Sequence, residues 1–435
     1  MTTATPQPGP SGWFALGAVS RAGRYTQRVW LRSSVLEGVV VGVFLLNEYV
    51  AKKTLGAGDA LITALVIGPT AALLFSAWWS GLLDRREKSS TFLVFGLLGR
   101  LSLLLVALAG SAGSFTAVIA AATFLYGALV PASNALLQRN FTPRERGRVL
   151  GLGITLQALT VIAVSLAVGR LYDRIPGSYR VVYPVAAVCG FFSCLSLARV
   201  RFRAHPGEPP EKALFSAGFG AAVAAALRRP FAGALLLLRE DRGFRRYELA
   251  FMSYGLAWMM LQPTIPVFLV ERLQVAYADV ATARGLIYFT MVAALSPLLG
   301  RLLDRFGPLA LSRLAFLILT PFPLLLAGAE GVRMVYLAFL VFGCGMAAVN
   351  LGWTTGPIHF AGRRDSAGYM GAHVALVGIR ALVGGPFGIW LYRASGSPAA
   401  TFGLASALFL CGALLMSRGT PAPNAPGAVR TVSSS

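Results

Sequence analysis

The 435-residue chain is too apolar to be a water-soluble protein. Hydrophobic residues make up 56% of the sequence, charged residues make up only 13%, and the mean hydropathy is +0.67. Soluble domains carry about 25% charged residues, and a single hydrophobic core stops growing near ~250–300 residues. The composition therefore excludes a water-soluble enzyme.

The charge of the chain is strongly basic, with 39 Lys and Arg against 17 Asp and Glu and a formal net charge of +22. In a soluble protein this balance would indicate a nucleic-acid partner, but in an apolar chain it is first tested as a signal of membrane orientation.

The four cysteines lie in apolar runs and are expected as small core residues rather than as disulfides. We expect no cleaved signal peptide, because the first 28 residues contain no apolar stretch that ends at a small-residue site.

Twelve apolar segments are long enough to cross a bilayer, whose ~30 Å core requires about 20 apolar residues per helix. They form two sets of six on either side of a polar break. The segments are 31–51, 60–83, 90–109, 114–138, 149–171 and 179–198, then 248–271, 281–300, 309–328, 333–356, 368–392 and 398–417. The pattern predicts an all-α membrane protein with twelve transmembrane helices in two pseudo-symmetric six-helix bundles.

The predicted boundaries divide the chain into five parts. These are a cytoplasmic N-terminal arm at 1–28, a first bundle at 29–198, a cytoplasmic central loop at 199–247, a second bundle at 248–417 and a cytoplasmic tail at 418–435. Within the central loop, residues 213–227 are apolar but too short to span the membrane, so we expect a helix that lies on its surface.

The distribution of Lys and Arg predicts the orientation of the chain. With both termini in the cytoplasm, the cytoplasmic segments hold 28 of these residues and the external loops hold nine. A thirteenth span in the central loop would place five arginines of the second half outside, so twelve spans fit better. We therefore expect a multi-pass protein of the cytoplasmic (inner) membrane, surrounded by lipid, and nucleic acid is no longer needed to explain the charge.

An internal repeat relates the two halves at a fixed offset of 220 residues. Four short matches share this offset, and each falls at the same point of its six-helix unit. They are Leu82-Leu83-Asp84-Arg85 with Leu302-Leu303-Asp304-Arg305, Arg144-Glu145 with Arg364-Asp365, Gly151 with Gly371, and Leu171-Tyr172 with Leu391-Tyr392. Duplicated bundles place a binding site at their interface, near the membrane midplane.

The loop after span 8 carries a motif, Gly300-Arg-Leu-Leu-Asp304-Arg305-Phe-Gly307, that resembles the signature loop of the major facilitator superfamily. The loop after span 2 keeps Asp84 and Arg85 but has Ser and Glu where that superfamily has its two glycines. In the superfamily, this loop latches the cytoplasmic side when the cavity faces outward. The resemblance implies that gating role for Asp84, Arg85, Gly300, Asp304 and Arg305.

Two features of this motif have simple physical interpretations. Gly300 would allow a close approach of helices, and the Asp304 carboxylate could meet a helix N-terminus or an arginine. The alternative is that each Asp-Arg pair only punctuates a tight cytoplasmic turn.

Glu37 lies about two turns into span 1, where ionisable groups are costly and face protein or water. The resemblance implies that span 1 lines a central cavity, in which this carboxylate could carry a proton. The alternative is a permanent structural ion pair between Glu37 and Arg100 of span 3. Glu48 lies near Lys52 and Lys53 and is predicted to be a solvated residue at the outer rim.

Arg380 lies near the middle of span 11, and His373 precedes it on the same face. No carboxylate is predicted in the interior of a span of the second half. Arg380 is therefore expected to meet a backbone carbonyl, an acid of the other bundle such as Glu37, or an anionic group of a substrate. His373 could titrate near neutral pH, or it could be a satisfied interfacial group.

Uncharged polar residues within the spans extend the set of candidates for a substrate or coupling-ion site. Each could line a central cavity, or could instead connect neighbouring helices by hydrogen bonds. These residues are Asn134, Gln157, Tyr254, Gln262, Asn350 and Trp353.

The sequence thus predicts a secondary active transporter of a small solute that works by alternating access and is coupled to protons or another ion. No phosphate-binding loop is present to support ATP hydrolysis, and the spacing of His359, Asp365 and His373 fits no metal site or catalytic triad. We expect no enzyme activity, no cofactor, no metal and a monomeric state. The alternatives are a lipid-moving protein and a non-transporting receptor or assembly factor on the same scaffold.

Overall fold

The computed structural model describes residues 21–71, 87–201, 235–361 and 366–417. In these ranges the regular structure is helical throughout. The predicted surface helix at 213–227, the C-terminal tail and Asp84 and Arg85, for which a gating role was predicted, lie outside the described residues.

Six helical units form the first half. We number them by span: α1 is Arg21–Phe44, continued by Asn47–Tyr49 and the π-helical Val50–Thr54; α2 is Asp59–Ala71; α3 is Lys88–Leu101 with the 3-10 turns Ser102–Leu108; α4 is Ala112–Tyr126 followed by Leu129–Asn140; α5 is Pro143–Arg174; and α6 is Tyr179–Ala198. Strong local signals begin two of them. Ser111 caps α4, while Thr142 and Glu145 form a capping box at the start of α5, with Pro143 in the first turn.

Six further units form the second half. They are α7, Arg242–Glu271; α8, which comprises Tyr277–Ala281, the π-helical Thr282–Ile287 and the first part of Tyr288–Leu319; α9, the remainder of that helix with Pro321–Ala327; α10, Val332–Ala361; α11, Ser366–Ser395; and α12, Pro398–Ser417. Gly307 divides α8 from α9, because its φ of 79° and ψ of 171° interrupt the helical backbone. Only glycine adopts this conformation readily.

The described helices confirm the predicted fold class. Nine segments are long and apolar enough to cross a membrane, and Asp59–Thr70 and Ala112–Tyr126 are shorter apolar helices. The segment Tyr277–Ala327 contains two spans because Gly307 divides it, which gives twelve. Several helices extend beyond the predicted spans; α7 begins at Arg242, six residues before the predicted start, because Asp241 caps it with its carboxylate.

The first helix of each half makes equivalent contacts. In the first half α1 contacts α5 and α6, and in the second half α7 contacts α11 and α12. The halves meet where α5 lies against α8 and where α2 lies against α11 and α7. The α5–α8 contact is close, because a Cβ atom at Gly169 would lie 2.9 Å from the Cβ atom of Ala281.

Large apolar side chains cover the outside of both halves. Examples are Leu105, Leu159, Val181, Trp390 and Val383, each more than half exposed. A soluble monomer rarely exposes so much apolar surface, and lipid is the solvent that accepts it. The four cysteines carry no disulfide.

Candidate functional site

A cavity of about 290 Å³ lies between the two halves. Residues of α1 and α2 form one wall, and residues of α7, α8 and α10 form the other. The lining residues are Leu45, Glu48, Tyr49 and Val66 from the first half, and Trp258, Gln262, Ile265, Pro266, Arg284, Tyr288, Phe289, Phe339, Phe342 and Met346 from the second. The site therefore belongs to neither bundle alone.

An ion pair between Glu48 and Arg284 crosses this cavity. Arg284 Nη1 lies 3.1 Å from Glu48 Oε2 and also donates to the carbonyl oxygen of Leu45 at 3.0 Å. The Glu48 side chain is only 12% exposed, and that of Arg284 is 26% exposed. The prediction that Glu48 is a solvated rim residue is therefore wrong: its partner is an arginine of the other half, 236 residues away, rather than the neighbouring lysines.

Irregular helix turns present both partners of this pair. Glu48 lies on the short helix Asn47–Tyr49, between a turn at the end of α1 and the π-helical Val50–Thr54. Arg284 lies within the π-helical Thr282–Ile287. Single π-helical turns are rare and are found frequently at functional sites. The signal in the sequence that could have identified Arg284 is its position as an ionisable residue inside the predicted span 281–300.

Polar contacts join the halves one to two turns beyond the cavity. They lie at the end of the bundles opposite the start of α1 and the end of α12; this end is named the far side, and the other end is named the terminal side. Asp173, in the last turn of α5, accepts hydrogen bonds from the backbone N–H groups of Tyr277 and Ala278 at 2.8 Å each. Arg393, near the end of α11, donates to both carboxylate oxygens of Asp59 at 2.6 and 2.8 Å and also binds Glu271.

Lysines and tyrosines of the same region add further contacts between the halves. Lys52 lies 2.7 Å from Glu271, and Lys53 donates to the carbonyl oxygen of Val275 at 3.1 Å. The hydroxyl groups of Thr54 and Tyr277 are 2.6 Å apart. These contacts hold the two halves together on the far side of the cavity.

A second ionised pair is buried within the first half. Arg100 of α3 donates through Nη2 to the Glu37 carboxylate of α1, and its guanidinium lies 3.6 Å from the ring centroid of Tyr126. Both residues are almost fully buried. Glu37 also lines a separate cavity of about 200 Å³ inside this half, together with Asn134 and Gln157.

A third pair is buried within the second half. His373 Nδ1 of α11 lies 2.8 Å from Glu248 Oε1 of α7, and the two side chains are 0% and 2% exposed. Aromatic rings of Tyr247, Phe251 and Trp353 surround the imidazole. The second half therefore does hold a buried carboxylate, contrary to expectation, because α7 begins earlier than the hydropathy predicts and Glu248 lies in its second turn.

Arg380 binds a backbone carbonyl rather than an acid. Its Nη1 donates to the oxygen of Phe251 at 2.6 Å, and its guanidinium lies 5.7 Å from the ring centroid of Tyr254. The side chain is 4% exposed, and Gly255 of α7 makes room for it. The sequence left three partners open for Arg380: a backbone carbonyl, an acid of the other bundle and a substrate. The structure shows the contact with a backbone carbonyl.

The remaining polar candidates do not share one site. Gln262 lines the cavity between the halves. Tyr254 stacks on Phe316 within the second half, and Trp353 packs on His373. Asn350 is exposed. Within the described part of the chain, no three His, Cys, Asp or Glu side chains converge to hold a metal ion.

The described copy of the signature motif differs from expectation at its first glycine. A Cβ atom at Gly300 would meet nothing within 4 Å, so no close helix approach requires glycine there. Asp304 and Arg305 are exposed, and the Arg305 guanidinium lies 5.1 Å from the ring centroid of Phe306. The essential glycine of the motif is Gly307, through its backbone conformation.

Two six-helix bundles of apolar helices with a cavity on their interface define a multi-pass membrane protein. The family model of the Major Facilitator Superfamily matches residues 33–244 and 247–431, and the chain belongs to this superfamily. No curated protein sequence matches the chain.

Solved structures of transporters are similar in fold. A point mutant of the nucleoside transporter NupG shares 14% identity with a TM-score of 0.66, covering 90% of this chain and 97% of its own. The human organic anion transporter MFSD10 (TETRAN) shares 17% identity with a TM-score of 0.63, covering 91% and 100%. A point mutant of the E. coli fucose:proton symporter FucP shares 16% identity with a TM-score of 0.57, covering 92% and 100%.

Proposed function

We propose that this protein is a secondary active transporter that moves a small solute across the cytoplasmic membrane by alternating access, driven by a proton gradient. The observation that carries the proposal is the cavity between the halves, which contains an acid and a base from opposite halves. A site on the interface of two duplicated bundles changes its exposure when one bundle rocks against the other.

Glu48 is the coupling acid in this proposal. A relative movement of the halves separates Glu48 from Arg284, so the protonation state of the carboxylate is linked to the conformation. Besides Arg284 of α8, the titratable groups that interact with this carboxylate among the described residues are Tyr49 and Tyr183, and Tyr288 lines the same cavity. A carboxylate can be neutralised by a proton, whereas arginine stays charged.

Glu37 has the structural role in this proposal. Its partner Arg100 lies in the same half, so rocking of the halves leaves the pair intact. The same reasoning applies to the Glu248–His373 pair within the second half. Arg393 and Asp59, by contrast, lie on opposite halves and must separate for the far side to open.

The orientation and oligomeric state complete the proposal. The excess of Lys and Arg on the terminal side supports cytoplasmic termini, with the far side facing outward. Both walls of the cavity come from one chain, so a monomer supplies the whole site.

Distances measured between spin labels test alternating access without knowledge of the substrate. On a background free of native cysteines, one label pair at Ile175 and Ala394 reports the far side, and a second pair at Gln138 and Ile358 reports the terminal side. All four side chains are exposed and therefore accessible to a label. We expect the two distances to change in opposite directions between pH 7.5 and pH 5.5, and Glu48→Gln to reproduce the acidic state at pH 7.5. Distances that stay constant under all these conditions would contradict the proposal.

A further inference from the structure

The cavity between the halves contains one acid and one base in an otherwise uncharged lining. Glu48 and Arg284 are the ionised residues among those that line it, and Gln262 adds an amide. Six aromatic residues supply most of the remaining surface: Tyr49, Trp258, Tyr288, Phe289, Phe339 and Phe342.

We propose that this cavity binds a small organic monoanion with a ring, such as an aromatic carboxylate or sulfonate, on Arg284 after a proton has neutralised Glu48. This inference rests on the proposed transport function and names the substrate class of the same site. It predicts that one proton and one anion move together, so that the transported unit carries no net charge.

The charge balance of the cavity favours an anion over a cation. Arginine cannot be deprotonated in a protein, so freeing Glu48 for a cationic substrate would leave two positive charges close together in an apolar cavity. Protonation of Glu48 has the opposite effect, since it leaves Arg284 as the single charge. An unpaired charge in such surroundings is costly, and an anionic ligand removes that cost.

The geometry of Arg284 suits such a ligand. The hydrogen bonds of Arg284 to the Glu48 carboxylate and to the Leu45 carbonyl use the same atom, Nη1. The guanidinium presents five donors in a planar fork that binds a carboxylate or sulfonate through two parallel hydrogen bonds. Arg284 is also more exposed than its partner, at 26% against 12%.

The second wall of the cavity suits a ring. Phe342 lies between two other aromatic side chains. Its ring centroid is 4.7 Å from that of Trp258, with an angle of 28° between the ring planes, and 5.4 Å from that of Tyr288, with an angle of 26°. The three rings stack on one another in a column, so this wall of the cavity offers aromatic groups against which a further ring can pack. The cavity volume of about 290 Å³ is just below the ~300–1,000 Å³ found for pockets that bind drug-sized ligands, so the substrate is small.

Transport of benzenesulfonate into proteoliposomes that contain the full chain tests this inference. The probe keeps its charge at every pH used, so it does not cross the lipid as a neutral acid. Benzyltrimethylammonium is the matched cation. We expect an inward proton gradient to drive accumulation of benzenesulfonate but not of the cation. We also expect a potential imposed with potassium and valinomycin to change the initial rate by less than about twofold, because the transported unit is neutral.

Three variants assign the effect to the ion pair. Arg284→Gln should reduce uptake and binding of benzenesulfonate at least tenfold, and Arg284→Lys, which keeps the charge but not the fork, should reduce them less. Glu48→Gln should bind the probe equally at pH 5.5 and pH 7.5 and should catalyse exchange without accumulation. Arg333→Gln is the matched control, because Arg333 is an exposed residue at the start of α10, outside the cavity. Binding is followed by quenching of tryptophan fluorescence, and correct folding by the melting temperature.

The results separate this inference from the proposed function. If the spin-label distances respond to pH but benzenesulfonate neither binds nor moves, the protein remains a transporter and the substrate class is wrong. Accumulation of benzyltrimethylammonium instead of benzenesulfonate also overturns the inference. So does wild-type binding by a well-folded Arg284→Gln protein.

Discussion

Asp173 and Arg393 occupy equivalent positions in the two halves, 220 residues apart, and each binds the first turn of a helix in the opposite half. Asp173 lies in the last turn of α5 and binds the N-terminus of α8, while Arg393 lies near the end of α11 and binds Asp59 at the N-terminus of α2. The duplication has thus kept the position of the contact and changed its chemistry. One contact uses a carboxylate on backbone N–H groups, and the other uses a guanidinium on a carboxylate.

Removal of either far-side contact should favour an open far side. Asp173→Ala leaves two backbone N–H groups without their acceptor, and Arg393→Gln removes the fork that holds Asp59. We expect the distribution of the Ile175–Ala394 label distance to shift toward longer values in both variants. The Glu330→Gln variant is the control, because Glu330 is an exposed acid in a loop. An unchanged distribution in both contact variants would show that apolar packing alone holds the halves together.

The Glu37–Arg100 pair should determine stability rather than coupling. Glu37→Gln leaves the buried Arg100 charge without its carboxylate partner. The loss of one partner of a buried ion pair costs about 3–5 kcal/mol of stability. The expected result is a lower melting temperature in detergent with the pH dependence of transport preserved. The double variant Glu37→Gln with Arg100→Met should recover part of the loss, with a coupling energy of about 0.5–3 kcal/mol. Loss of pH dependence in a stable Glu37→Gln protein would instead make Glu37 the coupling acid.

The Glu248–His373 pair should stabilise the second half. His373→Ala leaves the buried Glu248 side chain without its hydrogen-bond partner and is expected to destabilise the protein by about 1–3 kcal/mol. Glu248→Gln keeps a group that can hydrogen-bond the imidazole, so its effect should be smaller. His359→Ala is the matched control, since His359 is exposed on α10. Equal melting temperatures for His373→Ala and His359→Ala would contradict this assignment.

The two glycines of the signature loop should respond in opposite directions to alanine. Gly307→Ala forces a Cβ atom into a backbone conformation with φ of 79° and should cost about 1–3 kcal/mol. Gly300→Ala meets no atom within 4 Å and should be neutral or stabilising by about 0.4–1 kcal/mol. Thermal unfolding of the two variants in parallel provides the comparison. A destabilising Gly300→Ala would indicate a close helix contact at that position.

The sequence predicted the spans because hydropathy is a local property. Each span needs about 20 apolar residues in a row. The loop motif and the individual matches of the repeat are also short stretches of sequence. The boundaries were less accurate, since capping residues such as Thr142 and Asp241 extend helices beyond the apolar stretch. The pair between Glu37 and Arg100 was among the expected alternatives because each is an ionised residue in the interior of its span.

By itself, the sequence determined the membrane class, the number of helices, the duplication and the family of this protein. Only the tertiary structure paired Glu48 with Arg284, buried Glu248 against His373 and left Gly300 without a close neighbour. The physical reason is that composition and periodicity describe one helix at a time, whereas an ion pair depends on which helices meet and at what height. Glu48 has lysines as neighbours in sequence and an arginine 236 residues away as its partner in space.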